Sequence, residues 1–106
     1  RGFLVFGVDQ LGMTPEKAMG RPLFEAVDAI EALNSKVTEK ENRFSFEVAE
    51  CLGLPATGGS DAHEVSEVGI FATRFSRNIR NEADLVEALR SGNCSPVAFR
   101  RGPGLR

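Results

Sequence analysis

Leu54-Pro55-Ala56-Thr57-Gly58-Gly59-Ser60-Asp61-Ala62-His63 is the stretch on which the reading of this chain turns. Leu54 to Thr57 reads as a short extended segment, and it runs directly into a glycine pair that permits backbone turns other residues resist. On an extended backbone alternate residues face one way, so the carboxylate of Asp61 and the imidazole of His63 can reach one ion. Glycine turns at the C-terminal ends of strands are where α/β folds build their sites. By spacing alone, however, Asp-x-His more often marks a turn-capping aspartate beside a solvated or core-satisfied histidine.

Working outward, Val68 to Thr73 reads as the next strand. Asn81 then caps a helix with Asp84 in capping-box position, Leu85, Ala88 and Leu89 facing inward, and Gly92 past its end. Pro96 to Phe99 is a final short strand. Upstream, Phe44, Val48 and Cys51/Leu52 recur at helical spacing between Lys40 and Leu52, and Gly53 stands where a left-handed cap ends a helix. The stretch Leu23–Asn34 is ambiguous: Leu23, Val27, Ile30 and Leu33 follow helical spacing, whereas a strand would separate Ile30 and Ala32 from Glu31. Periodicity alone favours helix there. Thr14-Pro15-Glu16 opens a short helix that Gly20 closes, and Phe3 to Phe6 reads as a strand apolar on both faces. Helix and strand alternate, so the class is α/β. Residues 1–99 are expected to form one unit, with 100–106 a loose basic tail.

Composition narrows the function classes. The chain has 106 residues, 42% hydrophobic and 26% charged, as expected of one folded domain. A net charge of −2 gives no electrostatic footprint for general binding to a nucleic-acid backbone or an anionic membrane. The longest apolar run, Phe3 to Phe6, is far short of the roughly 20 residues that span a bilayer. No charged-then-apolar leader is visible, and the cytoplasm is the expected address. Cys51 and Cys94 are too few for a disulfide scaffold. Cys51 reads as a small core residue, and Cys94, in a Gly-Asn-Cys-Ser-Pro turn, as a candidate reactive thiol.

Leu52-Gly53-Leu54-Pro55 leading into Gly59-Ser60-Asp61-Ala62-His63, then Glu67-Val68-Gly69 and Thr73, resembles the C-terminal part of the PHP (polymerase and histidinol phosphatase) family of metal-dependent phosphoesterases. Val27-Asp28-Ala29-Ile30-Glu31 with Asn34, Asn42 and Ala49 upstream, and Asp84 to Leu89 with Gly92 downstream, extend the likeness over about residues 25 to 99. The resemblance implies the C-terminal portion of a distorted (β/α)7 barrel of mostly parallel strands alternating with helices, with Asp28 to Leu33 a strand. It further implies a multinuclear cluster of zinc, manganese or iron that activates water to hydrolyse a phosphoester, with Asp61 and His63 as its last ligand pair. The family's opening His-x-His strand and its further mid-chain histidines have no counterpart, since His63 is the single histidine. The chain alone is therefore expected to be inactive and to bind metal weakly at most, as a fragment of a longer enzyme or a chain whose site has decayed.

Other residues are candidates on their chemistry. Asn34, Arg74 and Arg77 are taken as substrate contacts, the arginines with Arg80 forming a cluster able to receive a phosphate. Asn42, Lys36 and Arg43 are weaker candidates of the same kind. Glu31 is not placed in the metal set, a carboxylate on a strand being as readily paired at the rim. Glu64 and Glu67 beside His63 raise the local negative charge and favour a cation. A non-catalytic module that self-associates, covering a Phe3–Phe6 edge, is the alternative reading.

Overall fold

The computed structural model describes residues 14–99; the Phe3–Phe6 strand and the 100–106 tail lie outside them. The first helix, α1 (Pro15–Met19), begins as its sequence dictates: the Thr14 hydroxyl accepts from the Lys17 N–H at 3.3 Å, and Gly20 ends it. A 3-10 turn over Pro22–Ala26 buries Phe24. Helical spacing is then overridden. Ile30–Asn34 is a strand, β1, with Ile30, Ala32 and Asn34 turned in and Glu31 out. The reason is tertiary, because a parallel partner strand satisfies this backbone while local propensity is weak.

The second helix, α2 (Glu39–Leu52), is capped by the Thr38 hydroxyl, which accepts from the Glu41 N–H at 3.1 Å. It ends in a Schellman motif: Gly53 is left-handed at φ 68°, and the Gly53 and Leu54 N–H groups donate to the Glu50 and Ala49 carbonyls. Phe44, Val48 and Ala49 face the core with Ala18, Phe24 and Ile30, and Met19, Val27, Leu52, Leu54 and Ala56 pack against them. Cys51, expected in that core, is exposed, because the helix turns Val48 and Ala49 inward and carries position 51 past the buried stripe.

The chain then enters β2 (Ala56–Gly59), which lies parallel to β1, pairing Ile30 with Ala56 and Asn34 with Gly59 across a register irregularity between Glu31 and Leu33. After a 3-10 turn at Val65–Glu67 comes β3 (Phe71–Phe75), then α3 (Glu82–Arg90) and β4 (Cys94–Ala98). β3 starts later than the Val68–Thr73 pattern suggests: Val68 is 58% exposed and Gly69 takes φ 84°, which interrupts the extended run. Antiparallel pairing of Phe75 with Cys94 draws the start of β4 back from Pro96 to Cys94, so Cys94 belongs to a strand and not to a turn. Asn81 caps α3 by accepting from the Asp84 N–H at 2.8 Å, while the Asp84 carboxylate accepts from the N–H of Arg80, one residue before the capping-box position. Ala88 is fully buried, but Leu85 is more than one-third exposed.

The described residues therefore form an α/β unit with two two-stranded sheets, one parallel and one antiparallel, and no closed barrel. The sheets meet at β2 through a side chain. The Thr73 hydroxyl accepts from the Gly58 N–H at 2.9 Å and donates to the Gly58 carbonyl at 2.7 Å. The body is thin, with extents of 38 × 36 × 18 Å. Among the described residues no helix is long and apolar enough to cross a membrane.

Candidate functional site

The loop from Ser60 to Ile70 leaves the C-terminal end of β2, and its course starts with two glycines, of which Gly58 has no room for a side chain. A Cβ on Gly58 would overlap the Ala72 carbonyl oxygen, and a Cβ on Gly59 would lie 2.5 Å from Glu31 Oε1. The first lets β2 press against β3, and the second leaves room for the Glu31 carboxylate over the strand end. Two residues on, Asp61 takes φ 49°, a left-handed conformation uncommon for a residue with a side chain. The extended backbone that would put Asp61 and His63 on one side by alternation is thus absent.

A different geometry joins them. His63 Nδ1 lies 2.8 Å from the Asp61 carbonyl oxygen. A carbonyl only accepts, so Nδ1 carries the proton in this contact, and in the neutral form of the ring the lone pair lies at Nε2. This is how a metal-binding histidine is commonly set, with the non-ligating nitrogen donating to a backbone oxygen. The ring is exposed. Its own backbone N–H donates to Glu67 Oε2 at 2.8 Å, and Glu67 Oε1 lies 2.6 Å from Lys36 Nζ. The His63 N–H first, and the Lys36 ammonium after it, hold the Glu67 carboxyl below the ordinary carboxylate range.

Asn34 sits at the centre, 7% exposed. Its amide nitrogen donates to Glu31 Oε2 at 2.9 Å and to Asp61 Oδ2 at 3.4 Å, and its Oδ1 accepts from the Lys36 N–H at 2.8 Å. The Ser35 hydroxyl donates to the Ser60 carbonyl. Of the residues singled out from sequence, the fold brings Asn34, Asp61 and His63 together. Arg77 lies instead against α3, 3.4 Å from Glu87 and 4.0 Å from Asp84, and Arg80 is 3.7 Å from Asp84. Arg74 is exposed on β3, in register with Ser95. Glu31 joins the network although its strand position argued against it. In a regular strand, positions 31 and 34 face opposite ways, and the irregularity between Glu31 and Leu33 is where they come within hydrogen-bond reach.

An imidazole nitrogen and a carboxylate are donor types that suit zinc, manganese or iron; here the Asp61 carboxylate takes the Asn34 amide, and the His63 ring meets the Asp61 backbone carbonyl. Among the described residues no group of three His, Cys, Asp or Glu side chains is placed to hold an ion. An open groove of about 800 Å³ borders the loop, lined by its Glu67 and Ile70 and by Leu33, Lys36, Phe46 and Phe71.

A family model described as PHP-associated matches residues 39–94, from the first turn of α2 through β2, the Asp61–His63 loop, β3 and α3 to the first residue of β4. Searches of curated proteins and of solved structures found no significant match. With more than half of its length in that match, including the loop that carries Asp61 and His63, the chain belongs to the PHP-associated domain family.

Proposed function

We propose that this chain is the C-terminal portion of a metal-dependent phosphoesterase of the PHP type, and that it supplies Asp61 and His63 as the last ligands of the metal cluster. The observation that carries the reading is the His63 ring, whose Nδ1 is engaged by the Asp61 carbonyl and whose Nε2 is left with its lone pair at an exposed position. Family membership supports it. When bound, zinc, manganese or iron would supply a deprotonated water and a clamp on the phosphate oxygens. His63 would ligate through Nε2 and Asp61 through its carboxylate, while Asn34 orients Asp61 and Glu67 fixes the His63 backbone. Two ligands do not complete such a centre, so the remaining ones come from polypeptide outside residues 14–99.

In this reading the two sheets are the closing strands of a distorted seven-stranded barrel, and the 18 Å thickness is that of a layer awaiting cover on one side. Arg74, exposed on β3, is a phosphate contact; Arg77 would have to leave Glu87 and Asp84 to join it. The test is manganese- or zinc-dependent release of phosphate from a panel of phosphoesters by the longer protein, compared with its Asp61→Asn variant. A loss of at least about tenfold is expected. Equal activity in the two overturns the reading.

A second reading is that the chain acts as a non-catalytic module that pairs with itself. It is favoured by exposed apolar side chains, Phe99 at 71% and Phe46 at the edge of the groove. Light scattering separates the two, since a strict monomer excludes self-pairing.

A further inference from the structure

Three consecutive residues at the end of β1 each hold a different point of the loop that carries Asp61 and His63. The Asn34 amide reaches the Asp61 carboxylate, the Ser35 hydroxyl reaches the Ser60 carbonyl, and the Lys36 ammonium reaches Glu67, whose other oxygen takes the His63 N–H. The three contacts differ in chemistry: amide to carboxylate, hydroxyl to carbonyl, and an ion pair. We infer that Asn34-Ser35-Lys36 is a positioning clasp that sets the geometry of Asp61 and His63, and that Asn34 serves as its pivot instead of as a substrate contact. This rests on the proposed metal-ligand role of those two residues.

Asn34 has no hydrogen-bonding group left over. Both amide protons go to carboxylates, its Oδ1 takes the Lys36 N–H, and its backbone N–H and carbonyl are both held by the Asn42 side chain. A side chain so committed and so buried can donate to a ligand only by giving up an existing bond. What the clasp secures has a conformational cost. Asp61 is left-handed, a backbone state that persists where the surroundings over-determine it, and the hold on Ser60 and on the Asp61 carboxylate supplies that determination. Holding a ligand through a partner outside the metal's own shell is a recognised way of tuning a site, and removing such a partner typically lowers metal affinity about 10–100-fold.

His63 is the single histidine, so its ring nitrogens are read in the full chain by 15N NMR without ambiguity. At pH 8 the wild type should show the Nδ1-protonated tautomer. Lys36→Met, Ser35→Ala and Asn34→Leu should each shift the Asp61 and His63 amide signals. In Lys36→Met the ring should move toward a mixture of tautomers, which Lys36→Arg restores. Manganese(II), added as the chloride, should broaden the His63 ring signals, with the midpoint raised about tenfold in Asn34→Leu and Lys36→Met. If Asn34→Leu does not fold, the partly exposed Lys36 and Ser35 carry the same measurements. Folded variants with unchanged loop signals, tautomer and manganese midpoint overturn the clasp, even if their denaturation midpoints fall. A wild type that manganese leaves unbroadened overturns the metal reading alone, the tautomer and amide shifts still deciding the clasp.

Discussion

Asn42, on the first turns of α2, exchanges two hydrogen bonds with the backbone of Asn34: its Oδ1 accepts from the Asn34 N–H at 2.9 Å and its Nδ2 donates to the Asn34 carbonyl at 3.0 Å. The side-chain amide thereby does for the last residue of β1 what a neighbouring strand would do. Asn34 is buried, so its backbone groups have no easy recourse to water. Asn42→Ala should therefore cost about 2 kcal/mol, read as a lower urea midpoint. A change within the scatter of surface variants would show that water replaces the amide freely.

The two adjacent glycines should respond differently to the same change. Gly58→Ala drives a methyl group into the Ala72 carbonyl, where neither backbone can give easily, and should cost about 1–3 kcal/mol or more. Gly59→Ala meets only the end of the Glu31 side chain, which can swing aside, and should cost under about 1 kcal/mol. Thermal melts of the pair check this, and equal losses would mean that β2 and β3 do not approach as closely as described.

Acid should weaken the loop through Glu67. Its carboxyl is held below the ordinary value of 4.5 by the His63 N–H and then by Lys36, so the folded state resists protonation more than the unfolded chain. The stabilisation is fully present above about pH 4.5 and is lost as the pH falls through the lower folded value. Urea midpoints followed from pH 7 to pH 3 should fall more steeply for the wild type than for Glu67→Gln. Parallel curves would remove Glu67 from the account.

Cys51, expected in the core, is the more exposed of the two thiols. Cys51 is exposed on α2, whereas burial pushes the Cys94 thiol up, and its Sγ lies 3.8 Å from the Ala56 carbonyl oxygen. With an aromatic disulfide reagent at pH 8, one thiol should react at least about tenfold faster than the other, and Cys51→Ser should abolish the fast phase. A fast phase that survives would place the reactive thiol at Cys94.

Much of this was legible where local chemistry and tertiary structure agree. Thr14 with Pro15, Gly53, and Asn81 with Gly92 mark helix ends in the sequence, and each ends a helix here or lies just beyond one; the Thr38 cap emerges only from the structure. Glu31 and the β1 strand were not legible by periodicity, because Leu23, Val27, Ile30 and Leu33 match a helix that pairing with β2 prevents. The family likeness indicated that strand where spacing did not. The left-handed Asp61 was equally hidden. Nothing local asks for it, and it is held by residues nearly thirty positions upstream. The neighbourhood of Asp61 and His63 could be named from their types, but the route by which they meet, through a backbone carbonyl, depends on a turn that no spacing rule encodes.

The Thr73 hydroxyl, bonded to both backbone groups of Gly58, stands where a strand-to-strand ladder would otherwise run. From β1 onward the described residues form two supersecondary units, a β1-α2-β2 crossover and a β3-α3-β4 hairpin, joined across their seam by the Thr73 hydroxyl and by the Cys94 thiol at the Ala56 carbonyl. The Ser60–Ile70 loop is the bridge over that seam, rooted in one unit at Gly59 and in the other at Phe71. Whatever docks against the hairpin therefore has a mechanical line to Asp61 and His63, through the backbone itself.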